Sequence, residues 1–510
     1  MHNLTSGSPD EVFGTSASVP GAKEFRPPPQ WETVLAAVAL LSSGLAILAH
    51  FALVPGGGWG GDEFANFARY QHFGIDWLAF RLLHWIPRPL SEVAIYLYSL
   101  AVAYWQTPLI TPILSVMWTL LVGGTVAVAW QHHSPRILPR VTLALTLIAM
   151  FLLGHRIYDV FFWTLGTVPY LLNLLSITIV TFQVVAGGVS LPRVRLICGL
   201  ALAVAATSWE TGLFFTLAFT IALLLLELPA LARRQLRVVR DCGWYLVPFV
   251  ISLCMVALLS DIIQSSPARG LDQGGEYFRQ FWPSLGATLL SMGPALLLGD
   301  ESAAGLDGPA SLAVAALLLV GFVWACRAGF GAPFPRRYMA ALCAGLVGSF
   351  LLTIFATYYE HGAQANEAQT TLRECLVVLG LLAAARTIEQ RLPRLPARWV
   401  LPRLLGPIAL VGAVGIGMAE RTPALIADYS LVPEIREARE QTWRSGLDPA
   451  TTTLRYVVAP SGQILNGLIP SPPGHFVLGA SDTEWWMTGL MDFFGKTGLE
   501  FTPLSATIAR

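Results

Sequence analysis

Lysine is almost absent from this chain: of 32 basic residues, only Lys23 and Lys496 are not arginine. Charged residues of all kinds fill 13% of the 510 positions, against about 25% in a soluble domain. A chain so poor in charge cannot coat a water-facing surface of its own size, and lipid asks for no such coat. The formal net charge is zero, so no basic field is present to attract nucleic acid. Nucleotide-binding signatures are missing as well, with no GxxxxGK[ST] and no GxGxxG after a strand, and so are the hydrolase motifs HExxH and GxSxG. The six cysteines (Cys198, Cys242, Cys254, Cys326, Cys343 and Cys375) lie in or beside apolar runs without CxxC or Cys/His spacing. That pattern indicates neither a disulfide framework nor a zinc site.

What the chain does have is hydrophobic residues, 54% of the total, and a mean hydropathy of +0.59. The first long apolar run, 34–54, would span about 31 Å as a helix, enough for a hydrocarbon core. Comparable runs follow at 109–130, 141–153, 168–186, 194–207, 212–228, 244–259, 311–326, 339–357, 372–385 and 404–418. The expectation is an all-α polytopic membrane protein with about eleven transmembrane helices. The stretches 90–106 and 285–299 read either as further spans or as helices lying at the interface. Residues 1–30, polar and rich in Pro and Ser, read as a disordered cytoplasmic leader, 31–419 as the transmembrane domain, and 420–510 as an external tail. Within the tail, 453–459 and 475–479 have strand-like composition and PSPPG at 470–474 reads as a turn, so the tail is expected to form a small cap.

Basic residues orient the spans, because cytoplasmic loops collect Lys and Arg. With the N-terminus inside, the cytoplasmic segments hold 18 basic residues and the external loops before the tail hold 7, alongside 15 acidic ones. Counting 90–106 as a span would invert every later loop, so 89–106 is read as a helix along the outer face. The arginine bias, with abundant Ala, Leu and Gly, points to a GC-rich bacterial genome, and hence to the bacterial inner (plasma) membrane. In that setting the N-terminus is cytoplasmic and the C-terminus periplasmic.

Ionisable and aromatic residues gather in the segments read as external. The first loop opens GGGWGGDE at 56–63. Its adjacent carboxylates, Asp62 and Glu63, suit a general base or a divalent cation such as Mg or Mn; they equally suit a solvated turn with an acidic N-cap. Arg81 and Arg88 follow in a Trp- and His-rich run, where Arg can pair with phosphate bidentately or anchor at the interface. The second loop carries His155, Arg156, Tyr158, Asp159, Trp163, Gly166 and Tyr170, a sugar-stacking surface or an aromatic belt. Glu210 lies between two spans with almost no loop, and a carboxylate at a bilayer edge is usually paired or functional. Near 358–374, His361 and Arg373 stand at the lip of two spans; Arg373 can meet a lipid phosphate or snorkel to the interface.

With its acidic pair after the first span, the chain resembles the GT-C superfamily of membrane glycosyltransferases. It is more closely similar to a bacterial group of glucosyltransferase-like membrane proteins. That group's Arg-Pro step matches Pro87-Arg88-Pro89-Leu90-Ser91, and its Trp-x-x-Gly-x-x-x-Tyr stretch matches Trp163 through Tyr170. A Glu in a small polar step matches Glu210, and a closing aromatic stretch matches WWMTGLMDFFG at 485–495. The chain departs from the group in having Glu at the second acidic position and Pro87 before the arginine, and no signature identifies the sugar. The resemblance implies transfer from a polyprenyl-phosphate sugar to a glycan, lipid or protein acceptor on the external leaflet. It implies Asp62 as base, Glu63 and Glu210 as acceptor-positioning or metal-holding carboxylates, and Arg88 and Arg373 at the phosphate. Arg156, Trp163, Tyr170 and His361 are further candidates for substrate binding.

Two other classes compete. A transporter or flippase of lipid-linked glycans would carry polar residues at mid-bilayer on broken helices with internal pseudo-symmetry, and no such pattern is read. An O-antigen polymerase or ligase would carry a large late external loop, whereas 358–373 is short. The orientation is open to direct test: alkaline phosphatase fused after Arg510 should be active in the bacterial periplasm, and fused after Arg240 inactive. The reverse pattern would remove the external site altogether.

Overall fold

The computed structural model describes residues 30–59, 61–85, 87–131, 136–232, 236–265, 281–296, 308–330, 334–361, 367–392, 401–465, 475–478 and 484–504. The leader before residue 30 and the turn at 470–474 lie outside them. Each of the eleven apolar runs falls in a helix: α1 (Gln30–Phe51), and after the first loop α5 (Ile110–Trp130), α6 (Ile137–Leu152), α8 (Thr164–Val185), α9 (Pro192–Ser208), α10 (Glu210–Ala232), α11 (Leu236–Ser265), α13 (Gly308–Gly329), α14 (Arg336–His361), α15 (Glu367–Arg391) and α16 (Leu401–Leu447). Among the described residues eight helices are long and apolar enough to cross a membrane. The other three of the eleven are α6, with 16 residues, α9, with 17, and α15, which is long but interrupted by charge. The first loop folds into α2 (Gly61–Phe73), α3 (Ile75–His84) and α4 (Pro89–Trp105), the second holds the short α7 (Tyr158–Phe161), and α12 (Phe281–Leu296) precedes α13.

Side-chain size sets how these helices pack. On α1, Ala36, Ala39, Ser43 and Ala46 face inward while Val34, Leu41, Leu45 and Leu48 are exposed. Small residues at a three-to-four spacing let helices approach closely in an apolar solvent. The Ser43 hydroxyl accordingly meets that of Thr146 at 3.0 Å, and Thr142 donates to the Ala36 carbonyl at 3.3 Å. The large outward aliphatics are what a helix facing lipid carries.

The helix ends sort into two sets. At one end Gly58 N–H donates to the Phe162 carbonyl (3.0 Å), Ser91 to the Ser208 carbonyl (2.8 Å), Arg421 to the Gly154 carbonyl (2.7 Å) and the Trp443 indole to the Gln106 carbonyl (2.8 Å). At the other end the Trp324 indole donates to Glu32 (3.2 Å), Arg386 to the Val185 carbonyl (3.0 Å), and Arg337 pairs with Glu227 (3.3 Å). Loops that the charge count groups on one side therefore touch one another, and α6, α9 and α15 run between the same two ends as their longer neighbours.

The last helix departs from expectation. The boundary read at 419/420 falls inside α16, a continuous helix of 47 residues. At 1.5 Å per residue it is about 70 Å long, more than twice a hydrocarbon core of about 30 Å. Its second half therefore projects beyond the apolar layer and carries the tail with it. Asp428, fully buried on that half, accepts the N–H groups of Gln463 (2.8 Å), Ile464 (2.8 Å) and Leu465 (2.6 Å), which pins the tail to the helix. Both segments read as strands are strands: β1 (Thr453–Val458) and β2 (His475–Val477), joined by β3 (Gly498–Pro503) in the order β1-β3-β2. β1 pairs with β3 in parallel, Thr453 opposite Gly498, and β2 pairs with it antiparallel, His475 opposite Glu500. Among the described residues this sheet stands beside elements that are otherwise helical. Between its strands, α17 (Trp485–Phe494) lies on α2. Gly489 has no room for a Cβ against Ala65, and Phe493 meets the Phe64 ring at 5.5 Å.

Candidate functional site

The acidic pair opens α2, and successive helical residues point about 100° apart. Asp62 is exposed while Glu63 is fully buried. The two Glu63 oxygens accept the Tyr98 hydroxyl and the Trp163 indole N–H, each at 3.2 Å. Burial first, and then the Glu63 charge, pushes the Tyr98 phenol well above its ordinary value, so it stays protonated as a donor. Glu63 thereby ties the start of α2 to α4 and to Trp163 at the head of α8. The glycine run before it makes this approach feasible. Gly58 bridges to Trp163 and leaves no room for a Cβ against the Tyr158 hydroxyl. From α16, Arg439 donates to the carbonyls of Gly57 and, at 2.9 Å, Pro55.

Asp62 lies in the field of two arginines held by one carboxylate. Glu92 is fully buried and takes two hydrogen bonds from Arg81, from Nε at 2.6 Å and from the second terminal nitrogen at 2.9 Å. Arg88, one helical turn before Glu92, approaches the same carboxylate at 3.3 Å. Burial works to raise the Glu92 carboxyl; the Arg81 hydrogen bond and the charges of Arg88 and Arg81 overcome it, and the net direction is down. The remaining Arg81 nitrogen donates to Asn66 at 2.8 Å, and Asn66 in turn donates to the Asp62 carbonyl at 2.7 Å. Each of the three Arg81 nitrogens thus has a protein partner. Arg88 keeps capacity: its Nε is buried with no hydrogen-bond partner, and its guanidinium lies 4.4 Å from the Trp209 ring centroid. The Asp62 carboxyl opens to solvent yet has protein on most sides. Burial raises it above 3.8, against the lowering charges of Arg81 and Arg88.

Trp209 is the one-residue tip between α9 and α10, with Glu210, half-buried, directly after it. Tyr170 meets the Trp209 ring edge-on at 4.6 Å and lies in the field of Arg88, Asp159, Glu210 and Asp62. Asp62, Arg88, Trp163, Tyr170 and Glu210 are therefore brought to one end of the bundle, around α2, α4, α8 and the α9–α10 tip. Arg156 and Arg373 belong to a neighbouring group at the same end. Arg156 has a left-handed backbone, φ 46, and the segment around it is held from both sides. Glu374 takes the His155 N–H at 2.8 Å and its Nδ1 at 2.6 Å, and Thr371 donates to the carbonyls of His155 (2.9 Å) and Arg156 (3.1 Å). Arg373 is buried and donates to Thr370 at 3.0 Å. The His361 side chain lies outside the described residues.

As a cation site the acidic pair does not fit, because Asp62 and Glu63 diverge and both Glu63 oxygens already take N–H or O–H donors. Among the described residues, no group of three or more His, Cys, Asp or Glu side chains is placed to hold a metal ion. Sequence reasoning missed Glu92, Asn66, Tyr98, Trp209, Glu374 and Arg439. For Glu92 a signal existed, since it stands four residues after Arg88 at helical ion-pair spacing.

No family model, no curated protein and no solved structure matches the chain.

Losing Glu92 should matter more for folding than losing Asp62. Glu92→Gln leaves two buried guanidinium groups without a countercharge and should cost about 3–5 kcal/mol. Asp62→Asn, at an exposed site, should change stability by less than about 1 kcal/mol. The folded Glu92 value lies below 4.5, so its contribution is present above 4.5 and is lost as pH falls through the depressed value. Thermal unfolding in detergent at neutral pH reads both variants, and equal midpoints would contradict the assignment.

Proposed function

We propose that the protein is a membrane glycosyltransferase of GT-C type, moving a sugar from a polyprenyl-phosphate donor to a hydroxyl of a glycan, lipid or protein acceptor. The observation that carries this reading is the juxtaposition of an open carboxylate, Asp62, with a buried arginine that retains an unused donor, Arg88. Glycosyl transfer needs a group to take the acceptor's proton and a cation to receive the leaving phosphate. In the step proposed, the acceptor oxygen bonds to the anomeric carbon as its proton passes to Asp62. The bond from that carbon to the phosphate oxygen breaks, and its electron pair leaves with the lipid phosphate beside Arg88.

The surroundings favour each role. A carboxyl raised above its ordinary value by burial is a stronger base than a free one. Arg88 is fixed by Glu92 beneath and Trp209 alongside, so little ordering remains when it meets phosphate. Glu210 and Tyr170 stand where they can orient the acceptor or the sugar. Arg156 and Arg373 supply further positive charge at the same end. The full reading has eleven spans in the bacterial inner membrane, a cytoplasmic N-terminus, and the site and tail in the periplasm, where nucleotide sugars are not supplied.

Asp62→Asn keeps size and hydrogen bonding but cannot accept a proton at neutral pH. It should insert and fold as wild type does, yet lose at least about a hundredfold in transfer rate. Near-normal transfer by Asp62→Asn, with loss on Glu210→Gln instead, would move the base to Glu210. Retained activity in Asp62→Asn, Glu63→Gln and Glu210→Gln alike would end the glycosyltransferase reading.

A further inference from the structure

Helix α8 runs through the centre of the bundle and carries polar side chains of both kinds: Ser176 donates to the Leu172 carbonyl at 2.7 Å, whereas the buried hydroxyls of Thr167, Thr178 and Thr181 have no partner. Asn173 is the unpaired amide of this helix. It is fully buried, and neither its Nδ2 nor its Oδ1 has a hydrogen-bond partner. An unmade pair of hydrogen bonds in such a place costs stability, and a leucine of nearly the same shape would avoid the cost. The first turn of α10 closes on the amide: a Cβ on Gly212 would collide with Asn173 Oδ1 and with the Ala205 carbonyl.

Asn173 also belongs to a series. Thr167, Tyr170 and Asn173 recur every three residues, so each is a surface neighbour of the next on α8. Tyr170 meets Trp209, and Trp209 underlies Arg88. Along this path Thr167 Oγ1, Trp209 Nε1 and Arg88 Nε are likewise buried without partners. The series begins at Arg88, whose charge acts on Asp62, and ends at Asn173, about 4.5 Å further along the helix axis than Tyr170. Its outer atoms, on Arg88 and Trp209, are donors only and suit an acceptor-only phosphate. Its inner atoms both donate and accept. A phosphate oxygen would face Asn173 Oδ1 acceptor to acceptor, whereas a hydroxyl can accept from Nδ2 while donating to Oδ1. Exchanging the amide's oxygen and nitrogen leaves this match unchanged.

We infer that Asn173 reads the sugar ring of the donor, taking one of its hydroxyls in a two-way hydrogen bond while Arg88 holds the phosphate. The inference rests on the glycosyl-transfer reading and adds a specificity-determining residue to it. The test is binding by the purified full-length protein, followed by tryptophan fluorescence. The probes are polyprenyl phosphate alone and the same lipid phosphate carrying glucose, galactose, mannose or N-acetylglucosamine. Wild type should prefer at least one sugar-bearing lipid over the bare one by about tenfold or more. Asn173→Leu should fold with an unchanged or higher thermal midpoint, bind bare polyprenyl phosphate as wild type does, and lose the preference. Asn173→Ala, which empties the position instead of filling it, should lose it too. A preference that survives in both variants overturns the inference, as does a wild type that prefers none of the sugars. An equal loss for bare and sugar-bearing lipids also overturns it, since that marks a purely structural role. Wild type that binds neither kind of lipid overturns the glycosyl-transfer reading itself.

Discussion

A carboxylate with no access to water stays charged only if cations are brought to it, and Glu92 draws in two. Arg81 and Arg88 approach it from the α3 side and from the start of its own helix, so the turn between α3 and α4 is closed around a single anion. Desolvating three charged groups is expensive; the ion pairs offset that cost, and Asn66 and Trp209 complete the shell. The consequence reaches beyond the ion pair. Arg81 spends all its nitrogens on structure, whereas Arg88 arrives rigid, backed by an indole, and with a donor unused. The first loop can then offer a cation to a ligand without first having to order it.

The neighbouring carboxylates divide their work by the geometry of a helical turn. Glu63 turns inward and fastens α2 to α4 and α8, while Asp62 turns outward beside the arginines. The same anchoring continues into the tail. Arg439 grips the glycine run that precedes α2, and α17 lies on α2 from the other side. A chain segment that looks peripheral in sequence is therefore built against the helix that carries the proposed base. The length of α16 makes this feasible, because a helix ending near 418 would leave no rigid support outside the apolar layer for the sheet or for Arg439.

Much of this was legible beforehand, for reasons that differ by element. Apolar runs such as 34–54 or 212–228 declare helices because backbone groups in lipid must be satisfied within the segment. Strand-like composition marked β1 and β2, and the grouping of helix ends followed from where arginine accumulates. The continuation of α16 was not legible, because residues after 419 turn polar while the helix persists on contacts with the tail, a tertiary cause. The residues alone did not separate the roles of Asp62 and Glu63, which only the resemblance told apart, since burial decides between them and both are acidic residues in one turn. Glu92 was readable from its spacing to Arg88, but its second partner, Arg81, arrives from another helix. Asn173 gave no signal, because an asparagine within an apolar run looks the same whether or not its amide is paired.

The account stands or falls on the donor. Purified protein in liposomes, given a polyprenyl-phosphate sugar and a hydroxyl acceptor, should form the glycosylated acceptor and release polyprenyl phosphate in equal amounts, with no nucleotide present. Efficient transfer from a nucleotide sugar alone, with the polyprenyl-phosphate sugar left intact, would contradict it.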